Sequence, residues 1–236
     1  MLNHRWPFAK TAIQEIDRAL SECRNHRCIT REQQRSSARL ADGAAALPDT
    51  DFQFKPRTHQ WLRFARCGDR KQHLLKHWEL KLRVMLRCES VQIYGGLKDL
   101  SAIERNIFAA AETSQTPDLW DSARLRIVVP HPGYAVDLAR AIGERYPHSI
   151  VRCRNYFTNP RAGGTDLYRG CHLELQSDDE EAVEVQIITR RREAVGLLDH
   201  SFWLKRRLRF ASPGHEAWLR DFSRLANILD ARDWAS

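Results

Sequence analysis

The sequence predicts an α/β fold: a mixed β-sheet flanked by helices, with an N-terminal helical extension. Three observations carry this expectation. Apolar residues recur at helical spacing in the first third of the chain, and from Val91 onward strand-sized runs alternate with helical ones. Two alternating runs, residues 168–176 and 182–189, are separated only by an acidic turn and so form an antiparallel pair. The remaining strand-like runs are separated by helical segments, which lays helices over the sheet.

Taken in order, residues 8–24 form an amphipathic helix with Ile13, Ile16 and Leu20 on one face. Residues 36–50 are rich in Ala, Asp and Ser and end in Leu-Pro-Asp, so they read as a linker or loose edge. A boundary near Lys55 then separates an extension, residues 1–55, from the main domain, residues 56–236. Residues 57–90 carry a long helical pattern with Trp61, Leu62, Leu74, Leu75, Trp78, Leu82 and Met85 as its apolar positions. This helix is heavily basic, with Arg63, Arg66, Arg70, Lys71, Lys76, Lys81, Arg83 and Arg87. A short strand at 91–94 is broken by Gly95-Gly96, and a helix follows over 100–113. Residues 124–129 form a strand ended by Pro130, residues 134–145 a helix, and residues 150–156 a strand. A loop with Asn159, Pro160, Gly163 and Gly164 leads into the antiparallel pair, and helices over 190–207 and 214–229 complete the pattern.

The 236 residues suit one medium domain plus an extension, and the 42% apolar content is enough for one core. A net charge of +8 points to a phosphate-rich partner without separating a nucleotide from an RNA. No apolar run is long enough to span a membrane and no signal-peptide pattern is present, so the cytoplasm is the expected location. The six cysteines are scattered without a CxxC pair, and Cys23, His26 and Cys28 lack a second pair of ligands. Reduced thiols are expected rather than a zinc site.

Strand alternation sorts the chemistry. On residues 168–176, Cys171, Leu173 and Leu175 share one face, while Tyr168, His172 and Glu174 share the other. On residues 182–189, Val183, Val185 and Ile187 oppose Glu184 and Gln186. The polar face is either solvated or a site that combines an aromatic ring, an imidazole, carboxylates and an amide. Asp121, before the strand that carries Arg126, is either a turn residue or a second carboxylate that joins Glu184 in holding Mg²⁺. Lys98, Ser101 and Arg105 follow the Gly-Gly pair at a helix start, where a capped basic face or a phosphate site are the two readings. Arg152, Arg154, Arg161 and Arg169 cluster around the Gly-rich loop, interleaved with Tyr156 and Tyr168, and arginine suits bidentate phosphate contacts.

In this order the motifs resemble the synthetase domain of the RelA/SpoT family. The lysine–serine–basic helix of that family matches Lys98, Ser101 and Arg105, and its D-x-x-x-x-R strand matches Asp121 to Arg126. Its aromatic–Asn-Pro–Gly-Tyr-Arg segment matches Asn155-Tyr156, Asn159-Pro160-Arg161 and Tyr168-Arg169-Gly170-Cys171-His172. Its Glu-Ile-Gln-Ile-Arg-Thr strand matches Glu184 to Thr189, and its later Glu-His and Tyr-Lys pairs align with Asp199-His200 and Leu204-Lys205. The resemblance spans residues 91–205 and implies a nucleotidyltransferase-like synthetase fold. It also implies an ATP-dependent pyrophosphokinase that forms (p)ppGpp-type alarmones from GDP or GTP.

Carried over residue by residue, the resemblance gives Asp121 and Glu184 the Mg²⁺ or Mn²⁺, with Glu184 also the candidate base. Lys98, Ser101, Arg105 and Arg126 would hold the ATP phosphates. Tyr168, His172, Gln186, Arg154 and Arg161 would bind the acceptor. The chain departs from the family pattern at four places. Gly96 replaces an arginine that packs on the donor base, Leu167 replaces a glycine, Gly170 replaces a serine and Ile188 replaces an arginine. These departures leave a second acceptor in view: the 3′ end of tRNA, modified by a toxin whose partner is an antitoxin protein. The basic helix favours that alternative. A catalytically inactive nucleotide or RNA binder is the third, and the retained Asp121 and Glu184 argue against it.

Overall fold

The computed structural model describes residues 6–22, 26–45, 47, 50–51, 68–86, 91–98, 122–159, 168–176, 182–207 and 213–234. Along the chain these form α1 (Trp6–Glu22), α2 (His26–Ala44), β1 (Thr50–Asp51), α3 (Gly68–Leu86), β2 (Gln92–Leu97) and β3 (Ala123–Val129). They continue with α4 (Pro132–Arg145), β4 (Ile150–Asn155), β5 (Cys171–Gln176), β6 (Ala182–Thr189), α5 (Arg190–Arg207) and α6 (Pro213–Trp234). The strands make one sheet in the order β1-β4-β5-β6-β3-β2. Only β3 and β6 pair in parallel; the other neighbours are antiparallel, so the sheet is mixed, as expected.

One sheet face builds the main core. Leu125, Ile127, Leu173, Leu175, Val183, Val185 and Ile187 alternate inward along β3, β5 and β6. They meet Ala135, Val136, Leu138, Ala139 and Ile142 of α4, and Leu74, Leu75, Trp78 and Leu82 of α3. The helical spacing of those α3 residues is the one that sequence periodicity predicts. Each fully buried leucine or isoleucine contributes about 1.5–3 kcal/mol relative to exposure. His131 starts α4: its Nδ1 accepts from the Tyr134 N–H at 3.2 Å, and Pro132 follows at the first helical position, where its missing donor does no harm. A second cluster joins the N-terminal helices to α5 and α6 through Ile16, Ile29, Val195, Phe222, Leu225 and Ile228.

Three sequence expectations change. Residues 36–44 are not a linker but the second half of α2, and Leu40, Ala44 and Leu47 belong to the main core. Asn155 secures this segment by donating from Nδ2 to the carbonyls of Ala44 at 2.7 Å and Leu47 at 2.6 Å. Gly95-Gly96 does not end β2, which runs on to Leu97. A Cβ on Gly95 would lie 2.6 Å from Leu125 Cδ2 and 2.7 Å from the Arg124 carbonyl oxygen, so glycine here permits close strand approach. The strand expected from residue 168 begins at Cys171, and Tyr168 forms an isolated bridge before it. The two ends of the helix expected over 57–90, residues 57–67 and 87–90, and the helix expected over 100–113 lie outside the described residues, as do the side chains of Cys23, His26 and Cys28. Among the described residues no helix is long and apolar enough to cross a membrane.

Candidate active site

Strand register sets the site. It places Gly96, Arg124, Glu184, Glu174 and Arg152 side by side on β2, β3, β6, β5 and β4. The next row on the same face holds Tyr94, Arg126, Gln186, His172 and Arg154. Glu184, Glu174, Gln186, His172, Arg126, Arg152 and Arg154, all singled out in the sequence, thus share one face. That face is not solvated, since His172 and Glu184 are each only 9% exposed and Gln186 5%. Buried polar groups need partners, and here they find them in one another.

Glu184 is the hub. Its Oε1 lies 2.8 Å from His172 Nδ1. Its Oε2 accepts from Arg124 Nε at 2.6 Å and from Gln186 Nε2 at 3.0 Å. Gln186 Oε1 in turn accepts from Arg126 Nη2 at 2.8 Å, and Arg126 Nη1 donates to Glu193 at 2.9 Å. Burial alone would push the Glu184 carboxyl up. The His172 hydrogen bond and the charge and hydrogen bond of Arg124 win, and hold it well below the usual carboxylate range. An ionised carboxylate only accepts, so His172 Nδ1 carries a hydrogen. Its other ring nitrogen, Nε2, then faces the Tyr168 hydroxyl at 2.7 Å. Burial raises the Tyr168 phenol above its ordinary range against the opposing Arg126 and Arg192 charges, so it stays protonated.

Tyr168 stands in an aromatic cage. Tyr156 meets it edge-on at 5.6 Å, His172 meets it at 5.2 Å, and the Arg192 guanidinium lies 5.0 Å from its ring centroid. The Tyr156 N–H donates to the Gly170 carbonyl, and Arg169 Nη1 donates to the Phe157 carbonyl at 2.6 Å, which fixes the turn that carries Tyr156. Two departures from the family pattern meet here. A Cβ on Gly170 would come within 2.9 Å of Ile188 Cγ2, so a serine at 170 would crowd the isoleucine at 188.

Lys98 lies just past β2, and its N–H donates to the Ser122 carbonyl at 2.7 Å. Lys71 of α3 donates from Nζ to the Ser122 hydroxyl. The Lys98 backbone and the Lys71 side chain therefore meet at the residue next to Asp121 in sequence. Asp121, Ser101, Arg105 and Arg161 themselves lie outside the described residues. Among the described residues no three ligating side chains cluster. Mg²⁺ does not need such a cluster, because one or two carboxylates plus substrate phosphates complete its shell. An ionised, oxygen-donor Glu184 fits that requirement.

Sequence reasoning missed Arg124, Glu193 and Arg192. Arg124 was open to detection, since it lies two residues before Arg126 and so points to the same strand face. Glu193 and Arg192 sit in a run of charges at the start of α5, where no period singles them out.

Sequence comparison finds no matching family profile and no matching curated relative. Solved structures do match. A GTP pyrophosphokinase family protein from Streptococcus pneumoniae superposes with a TM-score of 0.59 at 20% identity, over 73% of this chain and 91% of that one. Small alarmone synthetase 2 from Bacillus subtilis gives 0.59 at 16% identity, over 73% and 96%. Small alarmone synthetase 1 from the same organism, bound to its product pppGpp, gives 0.52 at 21% identity, over 74% and 94%. With the mixed sheet and its polar face, these likenesses establish that the chain has the fold of the RelA/SpoT-type small alarmone synthetases.

Proposed function

We propose that the protein is a nucleotide pyrophosphokinase that moves the β,γ-pyrophosphate of ATP onto the 3′-hydroxyl of GDP or GTP. The observation that carries this reading is a buried Glu184 linked through Gln186 to Arg126 on one side and to the His172–Tyr168 pair on the other. The acceptor 3′-oxygen attacks the β-phosphorus, AMP leaves, and the hydroxyl proton is released. Such a transfer depends on positioning and charge stabilisation, which suits a face rich in arginine. Glu184 and Asp121 would hold Mg²⁺ or Mn²⁺, which supplies charge neutralisation at the donor phosphates. Arg126, Lys98, Ser101 and Arg105 would bind the donor phosphates, and Arg154 and Arg161 those of the acceptor. Tyr168 would stack on the acceptor base, with His172 and Gln186 beside it. The depressed proton affinity of Glu184 favours its role as ligand and orienter of His172 over that of a strong general base.

The Lys71 contact favours a second reading, in which the acceptor is the 3′ end of tRNA and an antitoxin protein is the partner. It brings the basic helix α3 to the residue beside Asp121, where a tRNA backbone would run. The deciding experiment incubates the protein with γ-labelled ATP and either GDP and GTP or bulk tRNA. Label in a guanine nucleotide supports the first reading, label in tRNA supports the second, and label in neither rejects both. Glu184→Gln should abolish transfer while leaving the melting transition in place; near wild-type transfer would remove Glu184 from the site.

A further inference from the structure

Arg192 reaches the site from the start of α5. Thr189 ends β6 and caps that helix, its Oγ1 accepting from the Arg192 N–H at 3.0 Å. The capped turn sets Arg192 inside the molecule, only 8% exposed. A buried guanidinium needs a carboxylate or a full set of acceptors. Arg192 has neither: Nη1 donates to Ser223 Oγ at 3.2 Å, and Nε is buried with no partner. Asp199 and Asp230 act on it as charges and not as hydrogen-bond partners. Asp230 is bound instead by Thr189 and Arg191. The nearby cation Arg126, by contrast, is engaged by Glu193 and Gln186. What Arg192 does meet is the Tyr168 ring, whose centroid lies 5.0 Å from its guanidinium. Tyr168 stands ahead of β5 and not within it, so its ring takes its orientation from side-chain contacts.

We propose that Arg192 is a positioning residue for the acceptor: its guanidinium fixes the Tyr168 ring, and Tyr168 presents that ring to the acceptor base and its hydroxyl to His172. Arg192 touches no substrate and acts through Tyr168 alone. The inference rests on the reading of Tyr168 as an acceptor-binding residue given above.

Two measurements on the full chain test it. The first needs no acceptor: NMR of ring-labelled tyrosine, with Tyr168 identified among the five tyrosines by the signal lost in Tyr168→Phe. Arg192→Met keeps most of the side-chain length and removes the charge. It should move the Tyr168 signal, and Arg192→Lys should bring it back toward the wild type. Arg192→Met should also melt no lower than the wild type, because an apolar chain replaces a buried cation that no carboxylate pairs. The second measurement is pyrophosphate transfer from ATP to GDP. Arg192→Met should raise the GDP KM about 2- to 30-fold, the range of a cation–ring contact, and leave the ATP KM unchanged. On a Tyr168→Ala background the same substitution should change the GDP KM by less than about twofold. If Arg192→Met does not fold, Arg192→Gln carries both comparisons. An unchanged Tyr168 signal overturns the positioning role, and so does an equal rise of the GDP KM in both backgrounds. A lower melting temperature with both KM values raised makes Arg192 a packing residue and overturns it too. A moved signal in a chain whose wild type transfers nothing to GDP leaves the ring contact standing and overturns the acceptor reading instead.

Discussion

On the pyrophosphokinase reading, Tyr168 would combine two functions that substitution can separate: its ring would stack on the acceptor base, and its hydroxyl reaches His172 Nε2 at 2.7 Å. Stacking on a base is worth about 1–3 kcal/mol. Tyr168→Ala should therefore raise the acceptor KM by about 5- to 150-fold and leave the ATP KM nearly unchanged. Tyr168→Phe should retain acceptor affinity and lower kcat, because only the His172 contact is lost. A parallel rise of both KM values, with a lower melting temperature, would make Tyr168 a packing residue. The touching pair Gly170 and Ile188 gives a second prediction. Gly170→Ser should destabilise the fold by about 1–3 kcal/mol through overpacking. Ile188→Ala in the same chain should recover part of that loss, and strict additivity in denaturant melts would disprove the contact. In the sequence these were two unrelated departures from a pattern; only the fold shows that they touch. The polar face itself was legible, since period-two alternation alone selects Glu184, Gln186 and His172.

Elements were legible wherever their period was clean. Residues 182–189 and 190–207 emerge with the bounds that alternation and helical spacing predict. α2 was hidden because its buried stripe is Ile29, Gln33, Ser36, Leu40 and Ala44, a helical spacing interrupted by two polar members. Gly95 misled because a glycine that permits close strand approach looks, in sequence, like one that makes a turn. The Asn155 anchor shows what the α2 segment contributes. Asn155→Ala would strand the Leu47 carbonyl and the Phe157 N–H, each an unmet group costing about 1–3 kcal/mol where burial is complete, while the Ala44 carbonyl keeps the Leu47 N–H. A drop of about 2–4 kcal/mol in unfolding free energy is expected, and a change within 0.5 kcal/mol would show that α2 docks without it. The basic helix α3 is less uniform than its composition. Lys81 lies over the Trp78 and Tyr146 rings, and Arg83 binds Glu79 and the Ile93 carbonyl. Lys76 is exposed on this helix. If tRNA is the acceptor, neutralising Arg63, Arg66 and Lys76 together should cut tRNA modification steeply and flatten its salt dependence. Unchanged tRNA modification across a salt series would end the RNA role of this basic stretch of sequence.

At the scale of the whole molecule, one arginine joins distant parts of the chain. Arg191 donates to Glu15 of α1 at 2.5 Å, and to Asp230 at 3.0 Å and Asp233 at 2.6 Å of α6. Thr189, at the end of β6, donates to Asp230 at 2.7 Å. Arg192 and Glu193 follow directly, so this knot positions the residues that meet Tyr168 and Arg126. Burial pushes the Asp230 carboxyl up to about 6, against the opposing charge of Arg191 and the hydrogen bonds from Thr189 and Arg191. The unfolded value is about 3.9. The folded state thus binds the extra proton, and this contribution to stability is full below about pH 4 and lost as pH rises through about 6. Asp230→Asn, which is always neutral, should gain on the wild type in denaturant melts between those limits. A wild-type-minus-variant difference that stays constant from pH 4 to pH 7 would refute the shift. None of this knot was legible in sequence, because its members are too far apart for any local period to connect them.

The Glu15–Arg191 contact spans 176 residues, and that separation sets a waiting time. A ribosome adds about 5–20 residues per second, so α1 emerges roughly ten to thirty-five seconds before its partner exists. During that interval Ile16 has no buried place to go. Contacts this distant in sequence also slow the final search, because the loop must close before the contact rewards it. The residues anchored by Arg191 therefore remain unassembled until α5 and α6 have been made.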